Sequence, residues 1–158
     1  MNIFKPHRIT RSYTQRLVAT PDEIFPLLCP VREAEWVNGW HPRLVISSSG
    51  VAEPGCLFVT AAGPQEAIWI MTVHDPEHHH LEIVKVIPGI VVGQIVVRLE
   101  GDGADRSRAH ISYTFTALGP DGDRVVREFT QEHFDKFMQT WEDELNHFVT
   151  TGERLPHD

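Results

Sequence analysis

Apolar and polar positions alternate with a period of two through most of this chain. The period becomes helical only near the end, and that switch sets the expected class as α+β. Residues 8–19 alternate loosely, with Ile9, Tyr13, Leu17 and Ala19 on one face, and predict a strand. From residue 43 six more strands are predicted, over 43–48, 56–61, 66–74, 81–87, 91–100 and 108–118. Turn residues punctuate them, at Gly50, Pro54-Gly55, Gly63-Pro64, Asp75-Pro76, Pro88-Gly89 and Gly101-Asp102-Gly103, at the spacing of an antiparallel meander. Alternation is clearest in the last two. Val91, Ile95, Val97 and Leu99 face one way, as do Ala109, Ile111, Tyr113, Phe115 and Ala117.

Two short helices separate the first strand from the rest. Thr20-Pro21-Asp22-Glu23 carries a capping Thr, a Pro at the first helical position and a Glu that completes a capping box. Pro26 shortens that helix, Pro30 breaks it, and a second helix over 31–36 stops at Asn38-Gly39. The last element is predicted as one helix from a cap at Asp123 to Thr151, ended by Gly152. Val126, Phe129, Phe134, Phe137, Trp141, Leu145 and Phe148 form its apolar stripe, and at 1.5 Å per residue it spans roughly 40 Å.

Three segments carry a family likeness: VATPDEIFPLL at 18–28, CPVREAEWVNGW at 29–40 and FDKFMQTWEDELN at 134–146. With the order of elements, they make the chain resemble the START, polyketide-cyclase and birch-pollen-allergen superfamily (SRPBCC) over nearly its whole length. The middle segment is similar to the branch linked to polyketide cyclases and lipid transport. The resemblance implies a helix-grip fold, in which a curved seven-stranded antiparallel sheet wraps the long C-terminal helix and encloses a cavity. Such cavities hold lipids, sterols, polyketides or other apolar small molecules. The superfamily shares no catalytic motif, so the likeness transfers no catalytic residue.

Composition narrows the partners. The 158 residues suit one domain, 1–158, and a chain of this size buries roughly 68–70% of its unfolded surface without a metal or disulfide staple. A net charge of −8 without a Lys/Arg cluster argues against nucleic acid and anionic membrane surfaces, and no apolar run suits membrane insertion. The opening MNIFKPHRIT lacks the apolar stretch of a secretory signal, and Cys29 and Cys56 are the only cysteines. A cytoplasmic location with free thiols is therefore expected, with no cofactor; the sequence leaves a homodimer open.

Candidate site residues follow from the faces. Trp69 and Met71 share the odd-numbered face of their strand with Ala67 and Val73, and line the cavity if that face is concave. Trp36, Trp40, Tyr113, Phe115, Phe134, Phe137 and Trp141 complete the expected ligand-binding set. Glu35 and His41, flanking the two tryptophans, are the candidates for acid–base chemistry. Arg11 and Lys85 also fall among apolar neighbours, and either is a candidate anchor for a ligand anion. Ten histidines, several crowded at 74–80, invite a metal reading, but consecutive residues of an extended segment point to opposite faces, so no metal site is expected.

The leading expectation is binding of an apolar or amphipathic small molecule, a lipid, polyketide or similar. One alternative is a cyclase- or dehydratase-type enzyme working in the same cavity. Another is a co-chaperone-like protein-interaction module. Converging polar groups in the cavity favour the enzyme. A cavity without them favours carriage, and a filled interior with an apolar outer patch favours the partner module.

Overall fold

The computed structural model describes residues 1–157. Its strands are β1 (Arg8–Leu17), β2 (Leu44–Ile46), β3 (Leu57–Ala62), β4 (Gln65–Asp75), β5 (His80–Ile87), β6 (Val91–Gly101) and β7 (Ser107–Ala117). They form one curved antiparallel sheet in the order β1-β7-β6-β5-β4-β3-β2, a meander closed by the first strand lying beside the last. The register aligns inward side chains in transverse rows. One row runs Ile9, Phe115, Gly93, Lys85, Trp69, Phe58 and Val45; the next runs Arg11, Tyr113, Ile95, Ile83 and Met71.

The predicted face of β4 holds only to Met71. The register against β5 shifts between Met71 and Val73, so Val73 pairs with Glu82 and His74 takes the place beside Leu81. The bulge turns Val73 out and His74 in, where its ring lies 5.2 Å from that of Phe25.

Between β1 and β2, α1 (Pro21–Ile24) starts at the capping box read from the sequence. The Thr20 hydroxyl accepts from the Glu23 N–H, and the Glu23 carboxylate accepts from the Thr20 N–H. Two 3-10 turns follow, Phe25–Leu27 and Arg32–Glu35.

The C-terminal helix departs from expectation. It is two helices, α2 (Pro120–Glu128) and α3 (Gln131–Thr151). Asp123 does not cap; it lies inside α2 and accepts a 2.8 Å hydrogen bond from His7. The break comes at Thr130, whose extended backbone and side-chain oxygen, accepting from the His133 N–H, start α3 afresh. Arg11 donates to the Phe129 carbonyl at the end of α2, so this guanidinium serves a helix C-terminus rather than a ligand anion.

Helix α3 is tied to the free edge of β1. The Glu142 carboxylate accepts from the Arg16 N–H, Asn146 accepts from the Val18 N–H and donates to the Arg16 carbonyl, and Gln15 donates to the Met138 carbonyl. These bonds occupy an edge that would otherwise expose unpaired backbone groups. They also hold the helix against one side of the curve. Phe134, Met138 and Leu145 are buried against the sheet, and a gap is left between α3 and the middle strands.

Candidate functional site

That gap is a cavity of about 380 Å³, large enough for a small organic molecule. Its walls are mostly apolar, with Leu17, Leu81, Ile83, Ile95, Val97 and Ile111 on the sheet side. Two groups of rings stand in its wall. Trp40, Phe58 and Trp69 form one, with Phe58 and Trp69 stacked at 5.3 Å and Trp40 edge-on to both. Tyr113, Phe115, Phe129 and Phe137 form the other. Phe129, at the C-terminal end of α2, lines the cavity as well.

Of the nine residues expected to bind ligand, Trp40, Trp69, Tyr113, Phe115, Phe137 and Trp141 line this space. The other three do not. Trp36 is fully buried, donates its indole N–H to the Leu27 carbonyl at 3.0 Å and meets Trp141 edge-on. Phe134 is fully buried under α3, and Met71 sits in a second small core with Cys29, Ala52, Cys56 and Phe58. These three are packing residues. Both cysteines are unbridged there.

The candidate acid–base pair also lies elsewhere. Glu35 is exposed and ion-paired with Arg32 at 3.1 Å, and His41 is exposed. Neither borders the cavity. Glu33 does, and the 3-10 turn explains the exchange. Side chains three apart eclipse in a 3-10 helix, so Glu33 points with buried Trp36, while Glu35 pairs with Arg32 on the outer side. A spacing of three counted back from Trp36 is the sequence signal that identifies Glu33.

Polar groups therefore do enter the cavity. The Glu33 carboxyl has no hydrogen-bond partner among the described residues, and burial pushes its pKa up to about 8, so it is protonated at neutral pH. Burial, with a smaller contribution from Glu33, holds the Tyr113 phenol well above its usual value. Lys85 projects from the inner face of β5, its amine 4.6 Å above the centre of the Trp69 ring; burial pushes its pKa down. Gln15, His133 and Glu144 also line the space, and the buried Glu144 Oε2 has no partner.

Gly93 shapes the floor. A Cβ there would lie 2.7 Å from the Phe115 ring, so only glycine leaves that ring its place. Gly93→Val should displace the ring and cost about 1–3 kcal/mol, read as a lowered urea midpoint. A midpoint unchanged from the parent would show that the ring yields freely.

The histidines diverge. His78 pairs with Asp75 at 2.7 Å and His79 with Asp22 at 2.6 Å. Among the described residues no three His, Cys, Asp or Glu side chains gather as metal ligands. Among the described residues no helix is long and apolar enough to cross a membrane.

No protein-family model matches the sequence, and no curated protein matches it. Solved structures do match its shape. A norcoclaurine synthase from Thalictrum flavum, a point mutant bound to a transition-state analogue, has a TM-score of 0.70 at 13% identity, with 94% of this chain and 98% of that one covered. The chain therefore shares that structure's helix-grip fold. Ara h 8.0201 shares it, with a TM-score of 0.59, 13% identity and coverage of 91% and 99%. So does CalU16 from Micromonospora echinospora, at 0.56, 17%, and coverage of 97% and 88%. In this chain the space between the sheet and α3 is open.

Proposed function

We propose that this chain binds a small molecule with an apolar, ring-containing body and a polar head, held between the sheet and α3. The carrying observation is the cavity itself, lined by two aromatic groups, one of them including Tyr113, and by the polar side chains of Glu33 and Lys85. A ligand hiding about 200 Å² of apolar area there gains roughly 5 kcal/mol before ordering costs. Support comes also from the similar norcoclaurine synthase, seen in complex with dopamine and hydroxybenzaldehyde, two small ring compounds with polar groups.

A second reading is an enzyme of the cyclase or dehydratase kind. One observation favours it: a carboxyl that stays protonated to about pH 8, facing an apolar cavity, is poised to give and retrieve a proton near neutrality. Glu33, not Glu35, fills that role, with Tyr113 as a neutral hydrogen-bond donor beside it.

Trp40 and Trp69 stand in the wall, so their emission reports occupancy. Titration with decanoic acid, cholesterol and naringenin should give a saturable blue shift or quench for at least one. Native mass spectrometry of freshly purified protein should show a co-purified small molecule. Flat titrations across the panel, with only the bare mass present, would count against binding.

A further inference from the structure

The chain has three lysines, and only Lys85 is inside the fold. Lys5 is exposed, and Lys136 is exposed and paired with Glu132. Lys85 is the one drawn into the fold, and like Lys5 it has no carboxylate within ion-pair distance among the described residues. Its cross-strand neighbours are Trp69 on β4 and Gly93 on β6. Trp69 backs the amine with its ring face. On the other flank Gly93 has no side chain, and the Phe115 ring takes that space, 2.7 Å from where a Cβ would lie. The amine thus lies against the Trp69 ring face, and the side chain lines a cavity of molecular size.

We propose that Lys85 forms an imine with a carbonyl-bearing ligand, an aldehyde or ketone on an apolar ring body. This rests on the cavity-binding reading above and adds covalent chemistry to it. The lone pair of the neutral Nζ attacks the carbonyl carbon, forming the N–C bond while the C=O π pair moves to oxygen, and a proton passes from the nitrogen to that oxygen to give a neutral carbinolamine. The nitrogen then expels the hydroxyl, which leaves as water with a proton from an acid lining the cavity. Glu33, protonated at neutral pH, lines it. The iminium nitrogen then returns its last proton to the carboxylate so formed, which completes the neutral imine and restores the acid. Desolvation favours the neutral amine that the first step needs, against a partial opposing pull from the Trp69 ring. Ordinary surface lysines lack that advantage.

The test treats the full chain with 2-naphthaldehyde and sodium cyanoborohydride near neutral pH, and maps reduced adducts by peptide mass spectrometry. Lys85 should be modified at least about tenfold faster than Lys5 or Lys136. Free 2-naphthol, which has the ring body but no carbonyl, should slow labelling at Lys85 and leave Lys5 unchanged. Lys85→Arg keeps the stem and a cation but cannot form an imine; it should lose the fast adduct while still binding 2-naphthol. If 2-naphthol binds saturably but Lys85 reacts no faster than the other two, the imine is overturned and the binding site stands. If 2-naphthol fails to bind and Lys85 is unlabelled, both readings fall.

Discussion

Trp36→Ala should lower the unfolding free energy by about 3–5 kcal/mol, the largest single loss expected from this chain. The indole is fully buried, meets Trp141 at 5.4 Å and donates to the Leu27 carbonyl, so truncation leaves both a void and an orphaned acceptor. It also fixes the 3-10 turn that aims Glu33 into the cavity. Denaturant unfolding measures the loss directly. Phe137→Ala is the contrast, because Phe137 is 37% exposed at the cavity mouth and its truncation should cost far less. Equal midpoints for the two variants would place Trp36 outside the core.

The second large effect is on pH dependence. In the unfolded chain Glu33 ionises near its ordinary value of 4.5; in the fold it keeps its proton to about 8. Between those values the folded state binds one proton more than the unfolded state. Stability therefore falls as pH rises, by at most about 1.4 kcal/mol per pH unit, and the contribution levels off above about pH 8. Water in the cavity softens that slope. Glu33→Gln keeps the shape without the titration, so it should gain on the parent progressively from about pH 5 to pH 8. Lys85, with its pKa below the ordinary 10.5, acts at the alkaline end: there the unfolded chain binds more protons, and stability rises with pH up to about 10.5. Tyr113 stays neutral throughout the acid-side window, and His133 and Glu144 are the other titratable groups on the cavity wall. Urea midpoints at several pH values, parent against Glu33→Gln, check the slope. A constant difference would mean that Glu33 meets bulk water.

The meander from β2 to β7 and the α1 capping box were legible because each rests on local signals: turn residues at hairpin spacing, and a Thr and a Glu three apart. What was missed depends on phase. Glu35 was preferred to Glu33 because a two-residue difference in a 3-10 turn reverses the direction of a side chain, and the composition of 29–40 does not say which turn forms. Val73 was misplaced by a bulge with no Gly or Pro to mark it. Trp36, Met71 and Phe134 carried the right chemistry for a ligand wall, but whether an apolar side chain ends in a core or beside a cavity is decided by how elements pack. Lys85 was readable from alternation alone, since β5 and its neighbours keep their register. Met71→Arg, reasonable from sequence as a way to block the cavity, would instead put a charge into the second core and unfold it. Ile83→Trp, on the cavity wall, is the better blocking change.

The central claim is that ligand sits between the sheet and α3 rather than on the outer face of the sheet. Isoleucine δ1-methyl spectra separate the two. Ile83, Ile95 and Ile111 line the cavity, while Ile46, Ile68 and Ile70 lie on the opposite face. Titration with 2-naphthol or with naringenin should shift the first three together, saturably and with one Kd, while the outer three stay fixed, and Ile83→Trp should abolish the response. Shifts confined to Ile46, Ile68 and Ile70, or no saturable shift at Ile83, Ile95 and Ile111 with either compound, would contradict the account.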